Sequence, residues 1–191
     1  MFKPLMVWYG TDGITDLYIR DIEKAASQLP AIDAKIGYEG GDGSANTEIR
    51  RSQVKWILRD EQPHLVDVAY SFSRAANKEC FGVDITDLPM LQYSIYDSRD
   101  QGYYDWHADV FWSDSKPSDR KLSIVIQITD GDDYEGGDLE LEVGMEMLDS
   151  ARFRQKGSVI VFPSVYHHRV TPVTKGVRKS LVGWIEGPPW R

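Results

Sequence analysis

Hydrophobic positions follow two different periods along the chain, and the period changes near residue 90. In the first half, apolar side chains recur at helical spacing between Ile14 and Leu29 and stop at Pro30, and a second helical face follows Pro63. Between them, the Gly-, Asp- and Ser-rich residues 37–46 predict a loop, and residues 50–58 predict a short strand. The first half is therefore expected to contain two amphipathic helices.

From Leu91 onward, apolar and polar residues alternate with a period of two, which is typical of half-buried strands. The predicted strands cover residues 91–95, 122–129, 139–143 and 158–162. Turn-forming clusters of Gly, Asp and Pro separate them at residues 130–133, 136–137 and 187–189. Helices followed by many short strands favour an antiparallel double-sheet barrel, or jelly roll, backed by helices.

Composition narrows the class of protein. A chain of 191 residues, 41% hydrophobic and 27% charged, is expected to form a single soluble domain over residues 1–191. It has no apolar run near the ~20 residues that span a bilayer, and its first ten residues lack the pattern of a signal peptide. We therefore expect a cytoplasmic protein without a membrane partner.

Cysteine usage restricts the chemistry of any metal site. The single cysteine, Cys80, can form neither an internal disulfide nor a thiolate cage, so a metal must be bound by histidines and carboxylates. The chain offers four histidines, which are His64, His107, His167 and His168.

The net charge of −8 is concentrated in one segment. Residues 130–149 contain nine acidic residues and no Lys or Arg, and the remaining 21 acidic residues nearly balance 22 basic ones. The chain therefore lacks the basic surface that a nucleic-acid-binding protein usually shows, and no nucleic-acid partner is expected. If the acidic segment borders the entrance of a site, it favours cationic peptide segments by electrostatic steering.

A candidate metal site begins at His107 and Asp109, which project to the same side of a strand because they are two residues apart. A third ligand from a distant strand would complete a set of two histidines and one carboxylate, which leaves open positions on a non-haem Fe(II). His167 and His168 follow the predicted strand over residues 158–162. From spacing alone, either of them can be that ligand.

Four segments, in order, resemble motifs of the Fe(II)- and 2-oxoglutarate-dependent dioxygenases, specifically their prolyl 4-hydroxylase-like branch. They are residues 104–109 (YDWHAD), residues 134–139 (YEGGDL), and residues 157–164 (GSVIVFPS) followed by residues 168–173 (HRVTPV). The resemblance implies an α+β double-stranded β-helix over residues 89–191, with residues 1–88 as a helical support region. It also implies that His107, Asp109 and His168 are the metal ligands, since the family's second histidine directly precedes the RVTPV segment.

The resemblance further implies a cosubstrate site at Arg178, ten positions beyond His168, where the family places a basic residue for the distal carboxylate of 2-oxoglutarate. The planar fork of an arginine suits a carboxylate, and Ser180 shares its strand face. Lys175 and Lys179 are the competing cations. The other candidate cosubstrate contacts are Tyr96, with Tyr93 and Tyr104 as alternatives, and Gln127.

The activity that the resemblance implies is hydroxylation of a C–H bond with Fe(II), 2-oxoglutarate and O2, giving succinate and CO2, with ascorbate as a candidate reductant. The expected substrate is a prolyl residue in a protein or peptide. The alternatives are a small-molecule hydroxylase of the same family, a non-catalytic cupin-like module that binds a metal or ligand, and a hydrolase that activates water on Zn. The sequence leaves the oligomeric state open.

Overall fold

The computed structural model describes residues 7–10, 14–34, 47–110, 117–143, 146–148 and 150–190, and the loop predicted for residues 37–46 lies outside these ranges. Its helices are α1 (Asp16–Ser27) and α2 (Pro63–Ala76), the latter followed by one π-helical turn (Asn77–Phe81). Its strands are, in chain order, β1 (Trp8–Gly10), β2 (Ile32–Asp33), β3 (Arg50–Arg51), β4 (Gln53–Leu58), β5 (Met90–Asp97), β6 (Tyr103–His107), β7 (Asp119–Gln127), β8 (Tyr134–Gly136), β9 (Leu139–Val143), β10 (Glu146–Met147), β11 (Val159–Pro163), β12 (His168–Val170) and β13 (Val173–Gly187).

Both predicted helices are present, and local signals explain where they begin. Thr15 caps α1 by accepting a hydrogen bond from the backbone N–H of Tyr18 (3.3 Å), and Pro63 occupies the first turn of α2. Ile22 of α1 and Leu65 of α2 are fully buried in the core that the helices share with the sheet. Within the described residues, no helix is both long and apolar enough to cross a membrane.

The strands form two antiparallel sheets. Counting described residues only, the major sheet has the order β1–β11–β7–β13–β5–β4–β2, with β8 paired to the start of β13, and the minor sheet has the order β10–β9–β12–β6–β3. This architecture confirms the predicted α+β fold with a double-stranded β-helix and N-terminal helices. Strands from both sides of the predicted boundary at residues 88 and 89 share one sheet, because β4 pairs with β5.

Strand alternation assigns each side chain of the major sheet to one of two buried regions. In β7, Ile124 and Ile126 pack with the helices, whereas Val125 packs inside the barrel between the sheets. In β13, Leu181 faces the helices in the same way, and Arg178 faces the barrel interior. The polar residues that the sequence singled out on β13 therefore point into the space enclosed by the two sheets.

Candidate active site

Two histidines and one aspartate meet at one end of the barrel. His107 ends β6 and His168 begins β12, and the two residues are direct partners in the antiparallel pairing of these strands. His107 Nε2 lies 3.7 Å from Asp109 Oδ1, and His168 Nε2 lies 3.5 Å from Asp109 Oδ2. Because one ligand atom from each residue lies within 4.8 Å of the other two, all three can bind one ion.

Hydrogen bonds orient the three side chains toward their common centre. The Nδ1 atoms of His107 and His168 donate to the backbone carbonyls of Asp105 (2.7 Å) and Tyr166 (3.0 Å), which leaves each Nε2 lone pair free to bind a metal. Ser123 Oγ donates to Asp109 Oδ2 at 2.6 Å. The histidine ring orientation and the position of the carboxylate are thus set by the surrounding chain.

The electrostatics of the cluster favour a neutral imidazole beside an ionised carboxylate. Burial, followed by the proximity of His168, lowers the pKa of His107 well below its ordinary value. Burial alone would raise the pKa of Asp109, but the two histidines, Arg120 and the Ser123 hydrogen bond outweigh it, so this pKa is also lowered. Metal ligation requires these protonation states, and the donor set fits a non-haem Fe(II).

The structure separates the two candidate third ligands. His168 is buried next to His107 and Asp109, whereas His167 is exposed at the rim and lies 3.5 Å from the Glu142 carboxylate. Neighbouring residues of an extended strand point to opposite faces. His168 is the first residue of β12, so His167, directly before it, points away from the cluster. His64, the remaining histidine, is exposed on α2.

Arg178 supplies a buried cation deeper in the same barrel. It is only 2% exposed, its Nη1 donates to Ser180 Oγ (3.2 Å), and its guanidinium lies 5.6 Å from the ring centre of Tyr96. No carboxylate in the described part of the chain forms an ion pair with it. Since a buried charge requires a partner, this environment fits a carboxylate supplied by a ligand such as 2-oxoglutarate.

The two competing lysines lie outside the barrel interior. Lys175 is exposed and pairs with Glu135 (2.9 Å), and Lys179 pairs with Glu23 of α1 (3.0 Å). Arg178 is therefore the cation of this strand segment that lines the cavity.

Only some of the tyrosine and glutamine side chains predicted to contact the cosubstrate line the cavity. Tyr96 and Tyr104 line the cavity, whereas Tyr93 packs in the core shared with the helices. Gln127 is buried and is not among the residues that line the cavity. Its Nε2 donates to the Thr129 carbonyl (2.8 Å) and the Tyr134 hydroxyl (3.1 Å). The structure thus brings Tyr96 and Ser180 together with Arg178, and Gln127 stands apart from the cavity.

The Gly136–Gly137 turn makes room for the arginine. Both residues have positive φ (69° and 64°), which glycine adopts readily, and Gly136 pairs with Val173 at the start of β13. A Cβ atom on Gly137 would lie 3.1 Å from Arg178 Cδ and 2.8 Å from Val173 Cγ2. The two glycines therefore allow this turn to pack closely against the strand that carries Arg178.

His107, Asp109 and His168, together called the metal-type cluster, line the same cavity as Arg178. The volume of this cavity is about 670 Å³. Its lining also includes residues that the sequence analysis did not select, which are Arg50, Trp56, Gln92, Trp106 and Arg120. Arg120 Cζ lies 4.0 Å from the ring centre of Trp184, and Trp56 packs against the same indole with ring centres 6.2 Å apart. The alternation of β13 is the signal for Trp184, because it shares a strand face with Arg178.

This fold and site define an oxygenase dependent on Fe(II) and 2-oxoglutarate. The chain belongs to the 2OG-Fe(II) oxygenase superfamily, whose family model matches residues 91–186. It is therefore a dioxygenase enzyme, and its family uses Fe(II), 2-oxoglutarate and O2.

Curated relatives and solved structures agree with this assignment. A PKHD-type hydroxylase of Synechococcus sp. strain CC9311 is 38% identical over 171 residues, covering 87% of this chain and 71% of the relative. Another, from Synechococcus sp. strain CC9605, is 35% identical over 122 residues, covering 58% of this chain and 53% of the relative. Among solved structures, a Pseudomonas putida prolyl-4-hydroxylase has a TM-score of 0.68 at 18% identity, covering 97% and 94% of the two chains. The viral collagen prolyl hydroxylase of Paramecium Bursaria Chlorella virus-1, solved as a 2OG complex, has a TM-score of 0.67 at 16% identity, covering 95% and 96%.

Proposed function

We propose that this enzyme hydroxylates a prolyl residue in a protein or peptide, converting 2-oxoglutarate and O2 into succinate and CO2. The observation that carries the proposal is that the cavity containing the metal-type cluster is also lined by the indole of Trp184 and the guanidinium of Arg120. The names of the PKHD-type relatives and of the prolyl hydroxylase structures support the same substrate class.

The cavity walls suit a prolyl segment because they combine apolar surface with hydrogen-bond donors. Trp56 and Trp184 contribute two indole rings, tilted by 41° to each other with centres 6.2 Å apart, and a pyrrolidine ring can pack against this apolar surface. The Nε1 of Trp184 is buried and has no acceptor among the described residues, so it can donate to a backbone carbonyl of a bound peptide. A peptide needs such donors because its carbonyls lose water when it enters the cavity.

The chain's own residues position the reactants and exclude water. His107, Asp109 and His168 would hold Fe(II), and Arg178 with Ser180 would hold the distal carboxylate of 2-oxoglutarate. When bound, iron and 2-oxoglutarate supply the chemistry that activates O2. Tyr104 covers one face of the His107 ring (3.5 Å between ring centres), and Phe162 packs against His168, so that apolar surface shields both imidazoles from solvent.

The test is anaerobic binding of Fe(II) and 2-oxoglutarate, followed by exposure to oxygen with a panel of prolyl peptides. We expect succinate to form in step with a peptide product heavier by one oxygen atom, located on proline by fragmentation. Trp184→Phe removes the indole donor and should raise the KM for peptide, whereas Trp190→Phe, at an exposed tryptophan, should leave it unchanged.

The use of ascorbate as a reductant stays a prediction. It is tested by the effect of ascorbate on succinate formation over many turnovers.

Two results would contradict the proposal. Succinate formation with oxygen added only to small molecules would favour the small-molecule hydroxylase. Hydrolysis that depends on Zn, without binding of 2-oxoglutarate, would contradict the enzyme class itself.

A further inference from the structure

Arg50 is a buried arginine in the cavity wall, and one of its guanidinium nitrogens has no hydrogen-bond acceptor among the described residues. It lies on β3 and is 6% exposed, its Nε donates to Ser52 Oγ (2.7 Å), and its guanidinium stacks over the ring of Tyr104 at 4.5 Å. Its Nη2 is buried and has no acceptor among the described residues. Because burying an unpaired charged donor is unfavourable, the position indicates an acceptor that arrives with a ligand.

The charge of the cavity lining points to an anionic acceptor. Three arginines line the cavity (Arg50, Arg120 and Arg178), and Asp109 is the only carboxylate among the described lining residues. Glu186, outside the lining, also acts on Arg120, so the positive excess rests mainly on Arg50 and Arg178. Fe(II) and 2-oxoglutarate carry opposite charges of equal size, so their binding together leaves this positive excess unchanged. A substrate with a negative charge would reduce it.

The acidic segment at residues 130–149 does not neutralise this excess. None of its described carboxylates lines the cavity, and three of them pair with cations elsewhere, which are Glu135 with Lys175, Asp138 with Arg154, and Glu140 with Arg169. Glu142 lies 3.5 Å from His167, which is exposed and lines the cavity. The described carboxylates of the segment are therefore not counter-ions inside the cavity, and electrostatic steering of cationic peptides by the segment stays a prediction.

Arg50 and Arg178 reach the cavity from different sheets. Arg178 lies in the middle of the major sheet beside Ser180, whereas Arg50 lies on the edge strand of the minor sheet, paired with Tyr104 of β6. The ring of Tyr104 contacts both the Arg50 guanidinium and the ring of His107. A group bound by Arg50 would thus lie near the metal-type cluster.

We propose that Arg50 binds a carboxylate of the substrate and thereby selects substrates that carry an acidic group close to the hydroxylated carbon. This inference rests on the proposed function. In a prolyl peptide, the carboxylate would be an acidic side chain next to the target proline. A free carboxylate of a small molecule has the same chemistry, and the experiment separates the two sources.

The test compares matched substrates on matched variants. The substrates are pairs of short prolyl peptides that differ only by Glu or Gln beside the proline, and N-acylprolines with a free or amidated carboxyl group. The variants are Arg50→Gln, Arg50→Lys, and the control Arg51→Gln, which removes the same charge from the exposed neighbour on β3. Affinity is measured anaerobically by calorimetry with Mn(II) and 2-oxoglutarate, and KM and kcat are measured separately under air.

We expect the wild-type enzyme to bind the Glu peptide at least about tenfold more tightly than the Gln peptide, as a charge-assisted hydrogen bond allows. Arg50→Gln should reduce this ratio to about one, mainly through KM, and Arg51→Gln should preserve it. Arg50→Lys keeps the charge without the planar fork, so it should retain part of the preference. Thermal unfolding of each variant shows that the loss is not a loss of folding.

The outcomes separate this inference from the proposed function. Hydroxylation of prolyl peptides with no preference for the carboxylate, or with a preference that survives Arg50→Gln, overturns the role of Arg50 and leaves the function standing. A preference confined to N-acylprolines supports Arg50 and contradicts the peptide substrate. A rise in the KM for 2-oxoglutarate with an unchanged peptide preference would assign Arg50 to the cosubstrate and overturn the inference.

Discussion

At the scale of single residues, the site depends on groups that hold the candidate ligands as much as on the ligands themselves. Asp109 follows the last residue of β6 by two positions, so its carboxylate is not fixed by the strand ladder. It is fixed by a hydrogen bond from Ser123 Oγ of β7. This oxygen in turn lies 3.0 Å from the hydroxyl oxygen of Ser164, which follows β11. Such neighbours commonly change metal affinity by about 10- to 100-fold when they are removed.

Ser123→Ala is therefore expected to weaken Fe(II) binding by about tenfold, because Asp109 loses the hydrogen bond that orients it. Anaerobic calorimetric titration with Fe(II) measures the change. Ser71→Ala, at an exposed serine on α2, is the matched control and should bind iron like the wild type. Equal iron affinity in the two variants would show that Asp109 needs no support from Ser123.

Arg178→Lys is expected to raise the KM for 2-oxoglutarate by about tenfold or more, because lysine keeps the charge but cannot form two parallel hydrogen bonds with a carboxylate. The measurement is succinate formation at varied 2-oxoglutarate. Lys179→Met changes the next residue, which faces α1 and pairs with Glu23, and should leave this KM unchanged. If both variants behave alike, Arg178 does not bind the cosubstrate.

At the scale of strands and turns, the sequence was most informative where a pattern stays within one element. Alternation along β13 predicted that Arg178 and Ser180 share a face, and both line the cavity. The two-residue spacing of His107 and Asp109 likewise needed no knowledge of the fold. The resemblance was needed to choose His168 over His167, since both lie at the same strand end.

Residues placed by pairing between distant strands could not be found in this way. Arg50 reaches the cavity because β3 pairs with β6, about 50 residues further along the chain. Strict alternation from Leu122 would direct Arg120 toward the helices, but β7 and β13 shift register between Ile185 and Glu186, beside it. Alternation also placed Gln127 on the polar face of its strand, without showing that Thr129 and Tyr134 would accept hydrogen bonds from its amide nitrogen.

The Gly136–Gly137 turn yields a prediction at this scale. Gly137→Ala should destabilise the protein by about 1–2 kcal/mol, because alanine is strained at a positive φ, and should raise the KM for 2-oxoglutarate by crowding Arg178. Chemical denaturation measures the first effect and steady-state kinetics the second.

Gly82→Ala is the matched control for this change. Gly82 also has a positive φ (67°), but a Cβ atom there would have nothing within 4 Å. It should therefore lose a similar amount of stability and keep its KM for 2-oxoglutarate. A normal KM in Gly137→Ala would mean that the turn does not set the position of Arg178.

At the scale of the whole molecule, the site joins two sheets that are otherwise packed through apolar side chains. The candidate ligands His107 and His168 lie on the minor sheet, whereas Arg178 and the Ser123 that orients Asp109 lie on the major sheet. Between them, the barrel interior is filled by apolar residues from both sheets, including Val125, Phe162 and Leu141. A metal and 2-oxoglutarate bound together would therefore connect the two sheets across the cavity.

This arrangement predicts that ligands stabilise the fold together. At a ligand concentration of about 100 times Kd, binding contributes about 2.7 kcal/mol, which corresponds to a rise in Tm of about 5–10 °C for a protein of this size. Anaerobic thermal unfolding with Mn(II), with and without 2-oxoglutarate, measures the shift. Mn(II) alone should raise Tm by binding to the minor sheet and Asp109. 2-Oxoglutarate should add a further rise only when the metal is present, because it would bind to both the metal and Arg178.

Arg178→Gln should respond to Mn(II) like the wild type and lose the further rise. An equal response to 2-oxoglutarate in this variant would mean that the cosubstrate does not connect the two sheets through Arg178.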